Sequence, residues 1–120
     1  MGDYRDLRVW QAAVDLAVDC YSETRGFPKT ERFGITGQMR RASVSVSANI
    51  AEGAGRKSDR EFARFVRIAG GSANELETLL RIARRLDYLD AESHASLEQS
   101  VQKVRRSLGS LQRSLRAVDR

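Results

Sequence analysis

Leu7, Trp10, Val14, Val18 and Tyr21 recur at steps of three and four, and a second row, Val9, Ala13, Leu16 and Cys20, runs beside them. That spacing predicts one amphipathic helix over 7–25 with a broad apolar face. Gly26 offers a C-cap and Phe27-Pro28 ends the element, leaving 29–35 as a connection with room for one short turn. Thr36 is placed to cap a second helix over 37–54. The middle of that stretch, Ala42 to Ile50, reads ASVSVSANI, an alternation that in isolation predicts a half-buried strand. Met39, Ala42 or Ser43, Val46 and Ile50 fit helical steps equally well. The sequence holds no second strand-like run, and an unpartnered strand leaves its backbone groups unpaired, so the helix is preferred. Gly53-Ala54-Gly55 closes it.

Ser58-Asp59-Arg60-Glu61 reads as a capping box, with Ser58 accepting from an amide of the first turn while Glu61 reaches back. The third helix runs over 58–86 with two adjacent stripes. One is Phe62, Val66, Ala69, Ala73, Leu76, Leu80 and Ala83; the other is Phe65, Ile68, Ser72, Leu79, Ile82 and Leu86. Together they make an arc wider than one surface helix needs. Gly70-Gly71 sit mid-helix at a cost of ~1 kcal/mol each; close backbone packing is the expected compensation, with a kink as the alternative. Asp87 to Asp90 forms a tight connection in which Asp90 caps a fourth helix over 91–118. Leu97, Val101, Val104, Leu108, Leu111, Leu115 and Val118 then give a sustained heptad seam, which His94 extends toward the helix start. Long helices joined by short loops predict an all-α, antiparallel up-down four-helix bundle in one domain spanning 1–120.

Composition agrees with a globular chain of this kind. Its 120 residues suit one domain, and 41% hydrophobic against 31% charged residues is not a disordered balance. The one proline, Pro28, lies at a connection, so nearly all of the chain is free to be helical. No run is apolar enough to cross a bilayer, and the N-terminus lacks both a secretory pattern and the Ser or Thr at position 6 that myristoylation wants. Cys20 is alone, which rules out an internal disulfide; it reads as a small core residue, and the cytoplasm is the expected compartment.

Charge changes the picture more. The net +5 is uneven: residues 1–28 balance to −2, residues 29–57 to +4, and residues 103–120 to +5. Such asymmetry can steer an acidic partner such as nucleic acid. The candidate nucleic-acid-binding residues are Arg40, Arg41, Arg56, Lys57, Lys103, Arg105, Arg106, Arg113 and Arg116, with Arg120 beyond them.

Tests for chemistry are mostly negative. One histidine and one cysteine cannot complete a zinc site, and the Glu-x-x-His pairs of di-iron bundles are missing, so no metal or cofactor is expected. Gly53-Ala54-Gly55-Arg56-Lys57-Ser58 only superficially matches a phosphate loop: Arg56 stands where Gly is required and no strand precedes it. No nucleophile with an oriented base is marked, so no enzyme activity is expected. The polar residues Gln38, Ser45, Asn49 and Glu52 share a sector of helix 2, and Ser72 and Glu75 share one on helix 3. If Asn49 and Glu52 point inward they need partners, and these residues would form a network fixing helix register. Arg40 or Arg41 would either join it or face outward.

Gln38-Met39-Arg40-Arg41-Ala42, Ser45 and Ser47-Ala48-Asn49-Ile50-Ala51-Glu52-Gly53 resemble the core motif of the bacterial four helix bundle protein family, first noticed as reading frames within intervening sequences of large-subunit ribosomal RNA genes. Leu7, Val9-Trp10-Gln11, Tyr21, Phe27-Pro28 and Glu31 match its opening. Ser58, Glu61-Phe62, Ile68-Ala69, Gly71-Ser72 and Glu75-Leu76-Glu77-Thr78 match its third helix. Ile35 stands where Leu is usual, and Ala73 and Leu79 replace a usual Leu and a common Gln. The resemblance implies a four-helix bundle, a ring-like homopentamer and no established enzyme activity. A related branch, the accessory variability proteins of diversity-generating retroelements, forms basic pentameric barrels that bind a reverse transcriptase and nucleic acid. The resulting expectation is a non-enzymatic, self-assembling scaffold or adaptor with a basic surface for RNA or a protein–nucleic acid complex. The alternative is a protein–protein module with no nucleic-acid role.

Overall fold

The computed structural model describes residues 3–118, with side chains through 116. It contains four α-helices: α1 (Arg8–Thr24), α2 (Ile35–Ala54), α3 (Asp59–Arg85) and α4 (Ala91–Val118). Single 3-10 turns at Tyr4–Asp6 and Lys29–Glu31 precede α1 and α2. Each helix packs on two others: α1 and α3 each touch both α2 and α4. The four enclose one core in a bundle 48 Å long and about 20 Å wide. At 1.5 Å per residue α4 spans about 42 Å, nearly the whole length.

The strand-like ASVSVSANI is helix throughout. Met39, Val46 and Ile50 are fully buried while Val44 is exposed, a period that only a helix gives. Its serines return hydrogen bonds to the preceding turn, Ser43 Oγ to Arg40 O at 2.8 Å and Ser47 Oγ to Val44 O at 3.0 Å, which satisfies their hydroxyls without strand pairing. Small residues also let α3 come close. A Cβ on Gly53 would lie 2.7 Å from Phe65 Cβ and 3.2 Å from the Phe62 carbonyl oxygen. Gly53 is therefore the glycine of close approach. Gly70 and Gly71 are not: a Cβ on either meets nothing within 4 Å, and α3 runs unbroken through them.

Two expected caps differ. Gly26 does not adopt a left-handed C-cap; the end of α1 is closed by Thr24, whose Oγ donates to Cys20 O at 2.8 Å. Thr36 lies inside α2, buried, and its hydroxyl has no partner among the described residues. Gly34 takes the N-cap position, and the Glu31 carboxylate accepts from the Ile35 amide at 3.5 Å and from the Tyr88 hydroxyl at 2.9 Å. Glu31 thereby ties the turn before α2 to the connection between α3 and α4, where the Phe27 and Tyr88 rings also meet, 5.4 Å apart.

Ser58 Oγ accepts from the Glu61 amide at 3.1 Å, half of the capping box; among the described residues Glu61 makes no return bond. Asp90 accepts from the Ser93 amide at 2.7 Å and caps α4 as its position suggests. Between them, Asp87 has a positive φ of 61°. Tyr88 N donates to Ala83 O and Asp87 N to Arg84 O, the paired bonds of a Schellman ending with aspartate where glycine is usual. The α4 seam is buried at Leu97, Val101, Val104, Leu108 and Leu115; the Val118 side chain lies outside the described residues. On α3 the first stripe is wholly buried, whereas Ile68, Ile82 and Leu86 of the second are exposed.

Candidate nucleic-acid interface

The candidate cations fall into two groups. Arg40 is half-buried and turned to α1: its Nε donates to Thr24 Oγ1 at 2.9 Å, and its guanidinium lies 4.7 Å from the Tyr21 ring. It ties two helices together, which corrects its place among the surface candidates. Arg56 pairs with Glu52 at 2.6 Å and covers the Phe65 ring at 4.8 Å, so much of its charge is matched locally. Arg41 is exposed beside a recess of about 300 Å³ that also touches Gln38, Ser45 and Glu75, and Lys57 is exposed at the α2–α3 corner.

The α4 cations are gathered along one side of that helix. Lys103, Arg106, Arg113 and Arg116 are exposed, and Arg105 is half-buried. Three shallow grooves of roughly 460–490 Å³ adjoin one another there. Lys103 and Arg106 border one, Arg105, Arg106 and Arg113 the next, and Arg105 the third, where it faces Arg67 of α3. Residues three apart stand about 5–6 Å from each other on a helix, so Lys103 neighbours Arg106 and Arg113 neighbours Arg116, with two helical turns between Arg106 and Arg113. Arg67 was not singled out from sequence because it sits on another helix; only the packing of α3 on α4 brings it alongside Arg105. Arg120 lies outside the described residues.

Arg105 is held in place. Its Nη1 donates to Glu77 Oε1 of α3 at 2.9 Å, and Gln102, one turn earlier, donates to Glu77 and to Glu98, the latter at 3.1 Å. Two carboxylates are thus brought side by side on a single amide. The hydrogen bond with Glu98, followed by burial, pushes the Glu77 pKa up. Burial opposes ionisation of Glu98, but its hydrogen bonds with Glu77 and Gln102 prevail and lower its pKa. This bridge is not legible in the sequence. Its one signal was the step of Glu98, Gln102 and Arg105 along the α4 flank, which has no meaning until Glu77 is known to face it.

The expected polar network contracts to three residues. Ser45 and Ser72 hydroxyls meet at 2.9 Å, and Asn49 Nδ2 donates to the Ser45 carbonyl and hydroxyl at 2.8 and 3.0 Å. Gln38, Glu52 and Glu75 are exposed and do not join it. Helix register between α2 and α3 is thus pinned by one hydroxyl pair, backed by the steric fit at Gly53.

The remaining reactive groups sit apart from one another. Cys20 is fully buried, its thiol donates toward Met39 O at 3.6 Å, and burial pushes its pKa up to about 11. A thiol so held stays protonated and is a poor nucleophile. His94 stands by a recess of about 290 Å³ with Arg81, Arg84 and Arg85. Among the described residues no group of three or more His, Cys, Asp or Glu could hold a metal ion, and no helix is long and apolar enough to cross a membrane.

Among solved structures, the fold is similar to the 1.70 Å crystal structure of a protein of unknown function from the S23 ribosomal protein family of Bacteroides thetaiotaomicron VPI-5482. The TM-score is 0.78 at 25% sequence identity, covering 87% of this chain and 97% of that one. No curated protein sequence matches. Residues 5–110 match the family model described as 23S rRNA-intervening sequence protein, and the chain belongs to that family.

Proposed function

We propose that this protein is a non-enzymatic, self-assembling scaffold or adaptor that offers the α4 face to RNA or to a protein–RNA complex. The observation that carries this reading is the run of cations from Lys103 to Arg113 along adjoining grooves, with Arg116 exposed one turn beyond. Phosphate oxygens are the natural partners of such a row, because each neutralised phosphate releases a condensed counterion. A reverse-transcriptase-like protein carrying nucleic acid is a partner of the same chemistry, and the cytoplasm is its setting. Antiparallel up-down order suits the short connections, since residues 55–58 join α2 to α3 and residues 86–90 join α3 to α4. Assembly into a homopentameric ring follows from the family resemblance, and the exposed Val44, Ile68, Ile82 and Leu86 supply apolar surface for subunit contacts.

Filter binding of RNA across a salt series tests the reading. With Lys103, Arg106, Arg113 and Arg116 engaged on a single strand, log affinity should fall against log salt with a slope of about −3. Charge reversal of Arg106 and Arg113 should halve that slope. No binding at low salt would overturn it. The same apolar residues favour a second reading, a protein–protein module; partner capture that survives nuclease treatment would point there. Light scattering that gives a monomer mass at micromolar concentration would refute the ring.

A further inference from the structure

We infer that the recess between α3 and α4, over Gly70, Gly71 and Gly109, seats an unstacked base of a single-stranded nucleic acid whose phosphates lie on the α4 arginines. This rests on the proposed function and assigns the ligand within that surface. The recess measures about 480 Å³ and opens broadly to solvent. Its floor is apolar, from the edges of Val66 and Leu108. The space exists because the floor's neighbours are glycines: a Cβ on Gly70 or Gly71 would meet no atom within 4 Å, so no described residue fills it.

Two guanidinium groups line this space. Arg67 comes from α3 and Arg105 from α4, and the bond to Glu77 fixes the orientation of the second. Guanidinium planes stack on bases and attract their π faces. Gln112 lies on the same wall. Both polar atoms of its amide are covered and find no partner among the described residues. Turned outward, that amide offers a donor and an acceptor to a base edge, which relieves an unsatisfied pair of groups. The recess shares Arg105 and Gly109 with the neighbouring groove, where Arg106 and Arg113 stand ready for the adjacent phosphates. A base within a duplex is held in its stack and cannot enter, so the recess selects single strands or loops.

The test compares a short single-stranded RNA with an abasic strand of the same length and with a duplex, by fluorescence anisotropy at low salt. The expected result is about tenfold tighter binding of the base-bearing strand than of the abasic one. Gly70→Leu should fill the recess and abolish that preference, and Gln112→Ala should reduce it. Equal affinity of the unaltered protein for base-bearing and abasic strands overturns the inference and leaves the basic-surface reading intact. No binding of any of the three defeats both. If Gly70→Leu instead lowers the scattering mass, the recess belongs to a contact with a second copy of the chain, and the inference falls.

Discussion

Three helical glycines in this protein should respond to alanine in opposite directions, and the structure says which way each goes. Glycine costs a helix interior about 1 kcal/mol relative to alanine through backbone entropy. At Gly70 and Gly71 a Cβ meets nothing within 4 Å, so Gly70→Ala and Gly71→Ala should each recover about that amount. For a chain of 120 residues, an unfolding entropy of about 2.1 cal/mol/K per residue totals about 0.25 kcal/mol/K. One kcal/mol then moves Tm by about 4 °C, so the double variant should gain about 8 °C. At Gly53 the new atom would stand 2.7 Å from Phe65 Cβ and 3.2 Å from the Phe62 carbonyl oxygen. Neither neighbour is the free end of a flexible side chain, so α2 and α3 must separate, at about 1–3 kcal/mol. That outweighs the propensity gain and leaves Gly53→Ala less stable by about 1 kcal/mol, or about 4 °C. Thermal unfolding followed by circular dichroism, with urea titrations to confirm unchanged m-values, measures all three. Loss of stability in Gly70→Ala and Gly71→Ala would refute the reasoning, because it would mean that something packs against that surface.

Three further outcomes are expected. Asp87→Gly should raise stability by about 1 kcal/mol in urea titration, since it relieves a left-handed aspartate whose ion pair to Arg84 is long and exposed. Tyr88→Phe should cost about 1 kcal/mol by the same assay, by removing the 2.9 Å bond to Glu31 that ties the turn before α2 to the α3–α4 connection. The amide of Ser93 holds the Asp90 carboxyl below its usual pKa, so its cap contributes stability above the unfolded-state value and loses it as pH falls through the folded one. Asp90→Asn should lack that acid dependence, so the stability advantage of the unaltered protein over it in paired Tm-versus-pH curves should shrink as pH falls through the folded value.

Helix existence was legible because burial on a helix leaves a periodic trace. The first α3 stripe is buried throughout, and the α4 seam is buried at Leu97, Val101, Val104, Leu108 and Leu115 and half-buried at Leu111, as their spacing predicts. Local hydrogen-bonding chemistry was legible at Ser58 and Asp90, where a short side chain reaches an amide of its own first turn. It misled at Thr36, where the buried position of the side chain prevails over its capping preference, and at Gly26, where the bonds of neighbouring residues rather than residue type decide the ending.

The candidate surface was legible only as a list of charges. Sequence placed Lys103, Arg106, Arg113 and Arg116 on one helix, and their exposure follows from the seam opposite them. It could not separate them from Arg40, whose guanidinium is consumed by Thr24 and Tyr21, or join Arg67 and Glu77 to Arg105. Periodicity reports which way a side chain faces relative to its own helix axis. What stands across from it depends on the rotation and height of the neighbouring helix, and those are set by packing among residues far apart in the chain. For the same reason the sequence marks Gly53 only as part of a helix end and Gly70-Gly71 as the closely packed pair, yet α3 presses on the first and leaves open space above the others.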